Sequence, residues 1–94
     1  MTSTYKLGKD SFHKLIVWFV DGNARTRYSI DWKHRFSKTR DPQIGLNRFY
    51  KRIAVWGSQA QVVEIYVNNY GSKTGKKIER YEGGMKVEIK NTDL

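Results

Sequence analysis

Alternation of apolar and polar residues predicts two strands in the first third of the chain. Phe12–Val20 is rich in β-branched and aromatic residues and ends at the turn sequence Asp21-Gly22-Asn23. Both faces of this segment are mostly apolar, so we expect it to lie centrally in a sheet. Thr26–Lys33 alternates regularly, with Ile30 on its apolar side. We expect the two segments to pair as an antiparallel hairpin.

The last third of the chain predicts three more strands, at Gln61–Asn68, Lys76–Glu82 and Met85–Lys90. Asn69–Gly75 consists of residues that favour turns, and Gly83-Gly84 is typical of a two-residue hairpin loop. Lysines in the middle strand favour an edge position for it, because charged residues deter mispairing at the edge of a sheet.

The stretch between the two groups of strands predicts one amphipathic helix. Asp41 is a favourable N-cap, Pro42 suits the first helical position, and Gly57 suits the C-terminal cap. A step of about 100° per residue separates an apolar side of the helix from a basic side. The apolar side holds Leu46, Phe49, Tyr50, Ile53 and Trp56, and the other side holds Asn47, Arg48, Lys51 and Arg52.

Three residues of this helix do not fit the pattern. Ile44 and Val55 fall on the basic side although both are apolar. Gly45 weakens the first turn by roughly 1 kcal/mol relative to alanine.

Together the elements predict an α+β fold in the order β-β-α-β-β-β. It is a mainly antiparallel sheet of about five strands, with the amphipathic helix packed on one face. A chain of 94 residues suffices for one domain, residues 1–94, with one modest core. Outside the helix we expect the core to contain Leu15, Val17, Phe19, Ile30, Val63, Ile65, Val67, Val87 and Ile89.

The sequence does not predict the order of the strands in the sheet.

The two ends of the chain are polar. We expect residues 1–10 and 91–94 to be loose. Tyr5 and Leu7 are apolar enough to add a short edge strand to the N-terminal arm.

The composition excludes several classes of protein. The chain has no cysteine, which excludes disulfide scaffolds, thiolate zinc sites and thiol nucleophiles. The longest apolar run, Leu15–Val20, is too short to cross a bilayer, and the first residues lack the apolar core of a secretion signal. We therefore expect a cytoplasmic protein that does not bind a membrane. The residues suggest no cofactor and no metal site.

Positive charge is concentrated in one part of the chain. The formal net charge is +9. Residues 25–52 contain nine lysines and arginines against two acidic residues, which leaves +7 in that segment. Such an excess favours polyanionic partners, although a solvated surface that serves only solubility would also produce it.

The leading hypothesis is a small non-catalytic module that binds DNA or RNA. Several cations that converge on a phosphate backbone release counterions, and arginine offers a bidentate contact to phosphate. Phe36 supplies a ring on which an unpaired base would stack. The candidate residues lie in a basic loop and on one helix face: Lys33, Arg35, Phe36, Lys38, Arg40, Arg48, Lys51 and Arg52.

The alternative hypothesis belongs to another class. A basic, aromatic surface also suits a protein-interaction or inhibitor domain that docks on an acidic protein, because arginine, tryptophan and tyrosine are favoured anchors. Pairing of two copies through sheet edges would give a homodimer, and the sequence does not decide for or against it.

A further interpretation places an RNA-binding surface on the sheet. Tyr66, Tyr81 and Arg27 are candidates to line a polar sheet face, where aromatic residues stack on RNA bases in some modules. Cross-strand packing between the tyrosines is the simpler explanation.

Enzymatic activity has weaker support in the sequence. His13 and His34 are one acid–base pair that would serve metal-independent RNA cleavage. Glu88-Ile89-Lys90 resembles part of a metal-dependent nuclease signature, for which Asp21 or Glu64 would add a ligand. A lone histidine and an alternating surface strand explain the same residues more simply, so we expect no catalytic residues.

Overall fold

The computed structural model describes residues 11–34, 39–69 and 73–89. The elements in chain order are β1 (His13–Phe19), β2 (Ala24–Tyr28), α1 (Pro42–Trp56), a 3-10 turn (Gly57–Gln59), β3 (Ala60–Asn69), β4 (Lys73–Glu82) and β5 (Met85–Val87). The strands form one antiparallel sheet in the order β2-β1-β3-β4-β5, and α1 packs against it. This confirms the predicted α+β class. The predicted arm with Tyr5 and Leu7 and the tail 91–94 lie outside the described residues.

The helix begins and ends where the sequence predicts. Asp41 has an extended backbone, and its Oδ1 accepts a hydrogen bond of 2.9 Å from the Gln43 amide. Pro42 occupies the first helical position, where its missing N–H costs nothing. Gly57 ends the helix with a φ of 55°, and its N–H donates to the Ile53 carbonyl. In the described part of the chain, no helix is long and apolar enough to cross a membrane.

The middle strand of the C-terminal group is not at the edge. β1 lies centrally, as predicted, but β4 lies between β3 and β5, so the edge prediction for it was wrong. β4 also begins at Lys73, inside the stretch predicted as a turn. An interior position is acceptable for its charged side chains because Glu64 of β3 neutralises Lys77 and Arg80.

The second strand is shorter than predicted. β2 ends at Tyr28, because the chain after it is held by side chains as well as by the backbone. Ser29 Oγ accepts from the His13 amide at 3.0 Å, and Asp31 Oδ2 accepts from the Phe12 amide at 2.9 Å. Ser29 and Asp31 are fully buried, whereas Ile30, which was predicted to be in the core, is 41% exposed. The prediction inverted the buried and exposed sides of this segment.

The core lies between α1 and the two central strands. It consists of Leu15, Val17, Phe49, Ile53, Ala60, Val63 and Ile65, and Phe19, Leu46, Tyr50, Trp56, Ile78 and Tyr81 pack around it. Three further core predictions were wrong: Val67 is 40% exposed, and Val87 and Ile89 are only half-buried and lie outside the core cluster. Val87 pairs with Arg80 and so lies on the sheet face opposite α1.

Candidate functional site

A groove of about 550 Å³ lies between the C-terminal half of α1 and the edge strand β2. We call it the basic groove. The described residues that line it include no acidic side chain, and the cations are Arg27, Arg48, Lys51 and Arg52. It therefore collects positive charge from two elements that are distant in the sequence.

Strand register places Arg27 beside the helix. Arg27 is opposite Leu15 in the β1–β2 ladder, and directly opposite residues share a face of the sheet. Leu15 is fully buried in the core beneath α1, so Arg27 is on the helix side. The sequence did not identify Arg27 as a partner of the helix cations. The alternation along the strand places Arg27 on the same side as the polar residues Ser29 and Asp31, which predicts a solvent-facing side, and in the structure Ser29 and Asp31 are buried.

The basic groove has no internal counter-charge in the described parts of the chain. The salt bridges there are those of Lys77 and Arg80 with Glu64, and of Arg80 with Glu82. All of them involve β3 and β4, not the groove. Arg27, Lys51 and Arg52 are exposed and have no carboxylate within 4.0 Å in those parts.

Within the described residues, Arg48 has a structural contact that the other groove cations lack. Its NH1 donates to the Ile30 carbonyl at 2.9 Å, and its NH2 donates to the Lys33 carbonyl at 3.1 Å. These bonds fasten the segment after β2 to α1. The helix cations and the start of the predicted basic loop are thereby brought together, with Lys33 anchored next to Arg48.

The other predicted loop residues are not all part of this groove. Arg40 precedes α1 in the sequence, and its guanidinium lies 4.8 Å from the centre of the Phe12 ring. The groove, in contrast, runs along the C-terminal half of α1. Arg35, Phe36 and Lys38 lie outside the described residues. The structure thus brings Arg48, Lys51 and Arg52 together, places Lys33 close by, and separates Arg40 from them.

Exposed apolar side chains accompany the cations. Val55, which breaks the basic side of the helix pattern, is 80% exposed and lines the groove, as does Ile30 of the segment after β2. Trp56 also lines the groove, and its ring meets Phe19 edge-on with centroids 5.3 Å apart. The site therefore combines cations with exposed apolar surface.

The open edge of β2 also borders the groove through Thr26 and Tyr28. Ser29 N donates to His13 O, and Phe19 N donates to Asn23 O. Hydrogen-bonded pairs alternate along an antiparallel ladder, so the N–H and C=O groups of Thr26 and Tyr28 point away from β1. They form an unpaired sheet edge within the described residues.

Gly45 determines how closely the helix approaches the segment after β2. A Cβ atom at this position would overlap Asp31 Oδ1 and would lie 2.6 Å from Ser29 Cβ. Asp31 is fully buried there, and its Oδ2 also accepts from Ser29 Oγ at 2.8 Å. Gly45, which weakens the helix by itself, is needed for this close packing.

The opposite face of the sheet carries a neutralised cluster. Lys77 Nζ lies 2.6 Å from Glu64 Oε2, and Arg80 and Tyr66 also donate to the Glu64 carboxylate. Burial alone would raise the pKa of Glu64, but the hydrogen bonds from Lys77, Tyr66 and Arg80 outweigh it and lower the pKa. Burial and the bond to Glu64 raise the pKa of Tyr66 to about 12.

The three residues proposed for a common sheet face do not share one. Tyr66 lies opposite Lys14 and Lys77 on the far face, whereas Arg27 is on the helix side. Tyr81 is opposite core residue Val63, and its hydroxyl donates to Glu79 at 2.7 Å. An aromatic stacking platform built from this set is therefore wrong.

The candidate catalytic residues are far apart in the fold or already take part in structural hydrogen bonds. Burial lowers the pKa of His13, against the opposing effect of Asp31 and Glu79, while His34 is exposed beyond the end of β2. Asp21 accepts from the amide and side chain of Asn23 in the β1–β2 turn. Among the residues that the structure describes, no three histidine or acidic side chains are grouped to hold a metal ion.

No protein-family model, curated protein or solved structure matches the chain. The functional interpretation of the groove depends on its geometry and charge.

Proposed function

We propose that the protein is a non-catalytic nucleic-acid-binding module whose basic groove holds backbone phosphates. The observation that carries this proposal is the convergence of Arg27, Lys51 and Arg52 on one concave volume without a nearby carboxylate in the described residues. Unmatched cations that face one another repel, and an anion in the groove removes that repulsion.

The chemistry of these side chains suits phosphate. Arginine presents a planar fork that bonds two phosphate oxygens, and lysine adds a compact charge. Counterions released from the nucleic acid provide much of the binding free energy. Arg48 positions the segment after β2 through the Ile30 and Lys33 carbonyls, and its remaining N–H groups extend the cationic wall.

The basic loop belongs to the same proposal. Lys33 is anchored to Arg48 at the start of this loop, so the chain enters the loop close to the groove. Lys33, Arg35, Phe36, Lys38 and Arg40 would extend the contact along the nucleic acid, with Phe36 available for stacking.

The test is a double charge reversal, Lys51→Glu with Arg52→Glu. Fluorescence anisotropy with labelled DNA and RNA 20-mers at low salt should show a loss of affinity of roughly 100-fold. The matched control is Lys76→Glu with Lys86→Glu, which changes the net charge equally at exposed positions outside the groove. The control should retain most of the affinity. Equal losses in both variants would show a delocalised charge effect and contradict the groove as the site.

Salt dependence provides an independent measurement. If Arg27, Lys51 and Arg52 each contact one phosphate, the slope of log K against log salt should be about −2.7 on duplex DNA, since each contact contributes about −0.9. Binding that does not respond to salt would contradict phosphate recognition.

The unpaired edge of β2 favours a second candidate. An extended acidic segment of a protein would add a strand along Thr26 and Tyr28 and place its carboxylates near Arg27. Copurified nucleic acid, seen as a raised ratio of absorbance at 260 to 280 nm, would favour the first function. A copurified acidic protein that the double charge reversal releases would favour the second.

A further inference from the structure

We infer that the basic groove takes single-stranded rather than duplex nucleic acid, with an unpaired base against Val55 and Ile30. This inference rests on the proposed function and specifies its substrate class. Two features carry it: the concave arrangement of the cations and the exposed apolar side chains among them.

The first feature is the shape of the site. A helix that reads duplex DNA lies in the major groove, which is about 12 Å wide, and presents a convex surface to it. Here β2 flanks the C-terminal half of α1, so Lys51 and Arg52 face Arg27 across a hollow. A duplex would contact the rims of this hollow but would leave its interior empty, whereas a flexible single strand can enter it.

The second feature is the apolar surface inside the hollow. Val55 is 80% exposed and Ile30 is 41% exposed, and both line the groove with the cations. The bases of a duplex are stacked on one another, whereas an unpaired base offers a free face for contact with a side chain. A volume of about 550 Å³ lies within the range of pockets that hold small organic ligands, so one base and its sugar can be accommodated.

The resulting arrangement assigns separate tasks to separate residues. Arg27, Lys51 and Arg52 contact successive phosphates, while Val55 and Ile30 contact a base that points into the groove. Apolar contact is indifferent to base identity, so binding should depend weakly on sequence.

The experiment uses a labelled 12-nucleotide single strand and the same sequence as a duplex, measured by anisotropy at one salt concentration. The wild-type protein should bind the single strand roughly tenfold more tightly, because only the single strand also buries a base against the apolar side chains of the groove. Val55→Ser should weaken single-strand binding by roughly fivefold, since it removes about one buried methyl contact, and should leave duplex binding unchanged. The matched control is Val20→Ser, at a valine that is 63% exposed and outside the groove, and it should bind like the wild type.

The outcomes separate this inference from the proposed function. Equal affinity for the two forms, or an unchanged single-strand affinity in Val55→Ser, overturns the inference. The proposed function still stands in that case if Lys51→Glu with Arg52→Glu abolishes binding. Failure of the wild type to bind either form overturns both. Labelled poly-glutamate is the third probe, and tighter binding of that peptide than of either oligonucleotide also overturns both in favour of an acidic protein partner.

Discussion

The cations on the two sides of the sheet are held in different ways. On the far side, Lys77 and Arg80 converge on the carboxylate of Glu64, which is only 6% exposed. The carboxylate is buried, and its two cationic partners are about one third exposed, so its charge is compensated where water does not reach it. We therefore assign this cluster a role in stabilising the folded structure.

On the helix side, Arg27, Lys51 and Arg52 line a hollow and meet no such carboxylate in the described residues. The same residue types therefore stabilise the structure on one face and remain available to a partner on the other. Net charge alone does not reveal this difference, because a cation counts equally whether or not it is neutralised. The variants below test it in order of expected effect.

The largest effect should come from Gly45→Ala, which disturbs the helix side. The added Cβ would overlap Asp31 Oδ1, and neither the buried aspartate nor the helix backbone can move freely. We expect a loss of about 3 kcal/mol in the free energy of unfolding, even after the roughly 1 kcal/mol that alanine gains in helix propensity. Urea denaturation followed by circular dichroism measures it. Asn47→Ala, at an exposed position of the same helix, is the control, and a similar loss there would contradict the packing argument.

A smaller effect on stability should come from Glu64→Gln, which removes the negative charge from the ionic cluster on the far side of the sheet. Hydrogen bonds from charged groups to a buried carboxylate are lost, but Lys77 and Arg80 are 33% and 30% exposed and can hydrate. We expect a loss of about 2 kcal/mol at pH 7. Glu82→Gln is the control, because Glu82 bonds Arg80 at an exposed position and should contribute little.

The pH dependence sharpens this second variant. The pKa of Glu64 is lower in the folded state, so its contribution is complete above the unfolded value of about 4.3 and is lost as the pH falls through the folded pKa. The difference between wild type and Glu64→Gln should therefore be constant near neutrality and shrink in acid. A difference that does not shrink at any acidic pH at which the protein is still folded would point to altered packing rather than to charge. His13 is present in both proteins, so its own titration cancels.

The smallest effect on stability should come from the groove. Replacing Lys51 and Arg52 with alanine removes mutual repulsion without breaking a salt bridge of the described structure. The melting temperature at low salt should stay the same or rise slightly, while nucleic-acid affinity falls. A marked drop in melting temperature would mean that these cations serve the fold, like those of the far side.

The helix was predictable because its signals are local. Asp41, Pro42 and Gly57 mark its ends, and the apolar stripe from Leu46 to Trp56 follows from its own period. The alternating strands and the α+β class followed from periodicity in the same way.

The segment after β2 was not predictable, because its partners are remote in the sequence. Ser29 and Asp31 are polar, and nothing within the segment indicates that Gly45 makes room for them beneath α1. Because the buried and exposed sides of that segment were inverted, Arg27 was not predicted to face the helix. The sequence therefore predicted the groove residues on α1 but not the one on β2. Arg48 likewise was recognisable as a cation, but not as the residue that fastens the Ile30 and Lys33 carbonyls.

The arginines of β2 have a consequence for contacts between copies of the chain. An open sheet edge is a template for self-association, which leads to aggregation. Two copies that paired antiparallel about Thr26 would bring Arg25 of each against Arg27 of the other on one face, and like charges directly opposite are destabilising. The side chain that we propose binds phosphate thus also protects the exposed edge of the sheet, so a change of Arg27 to an apolar residue would cost solubility as well as affinity.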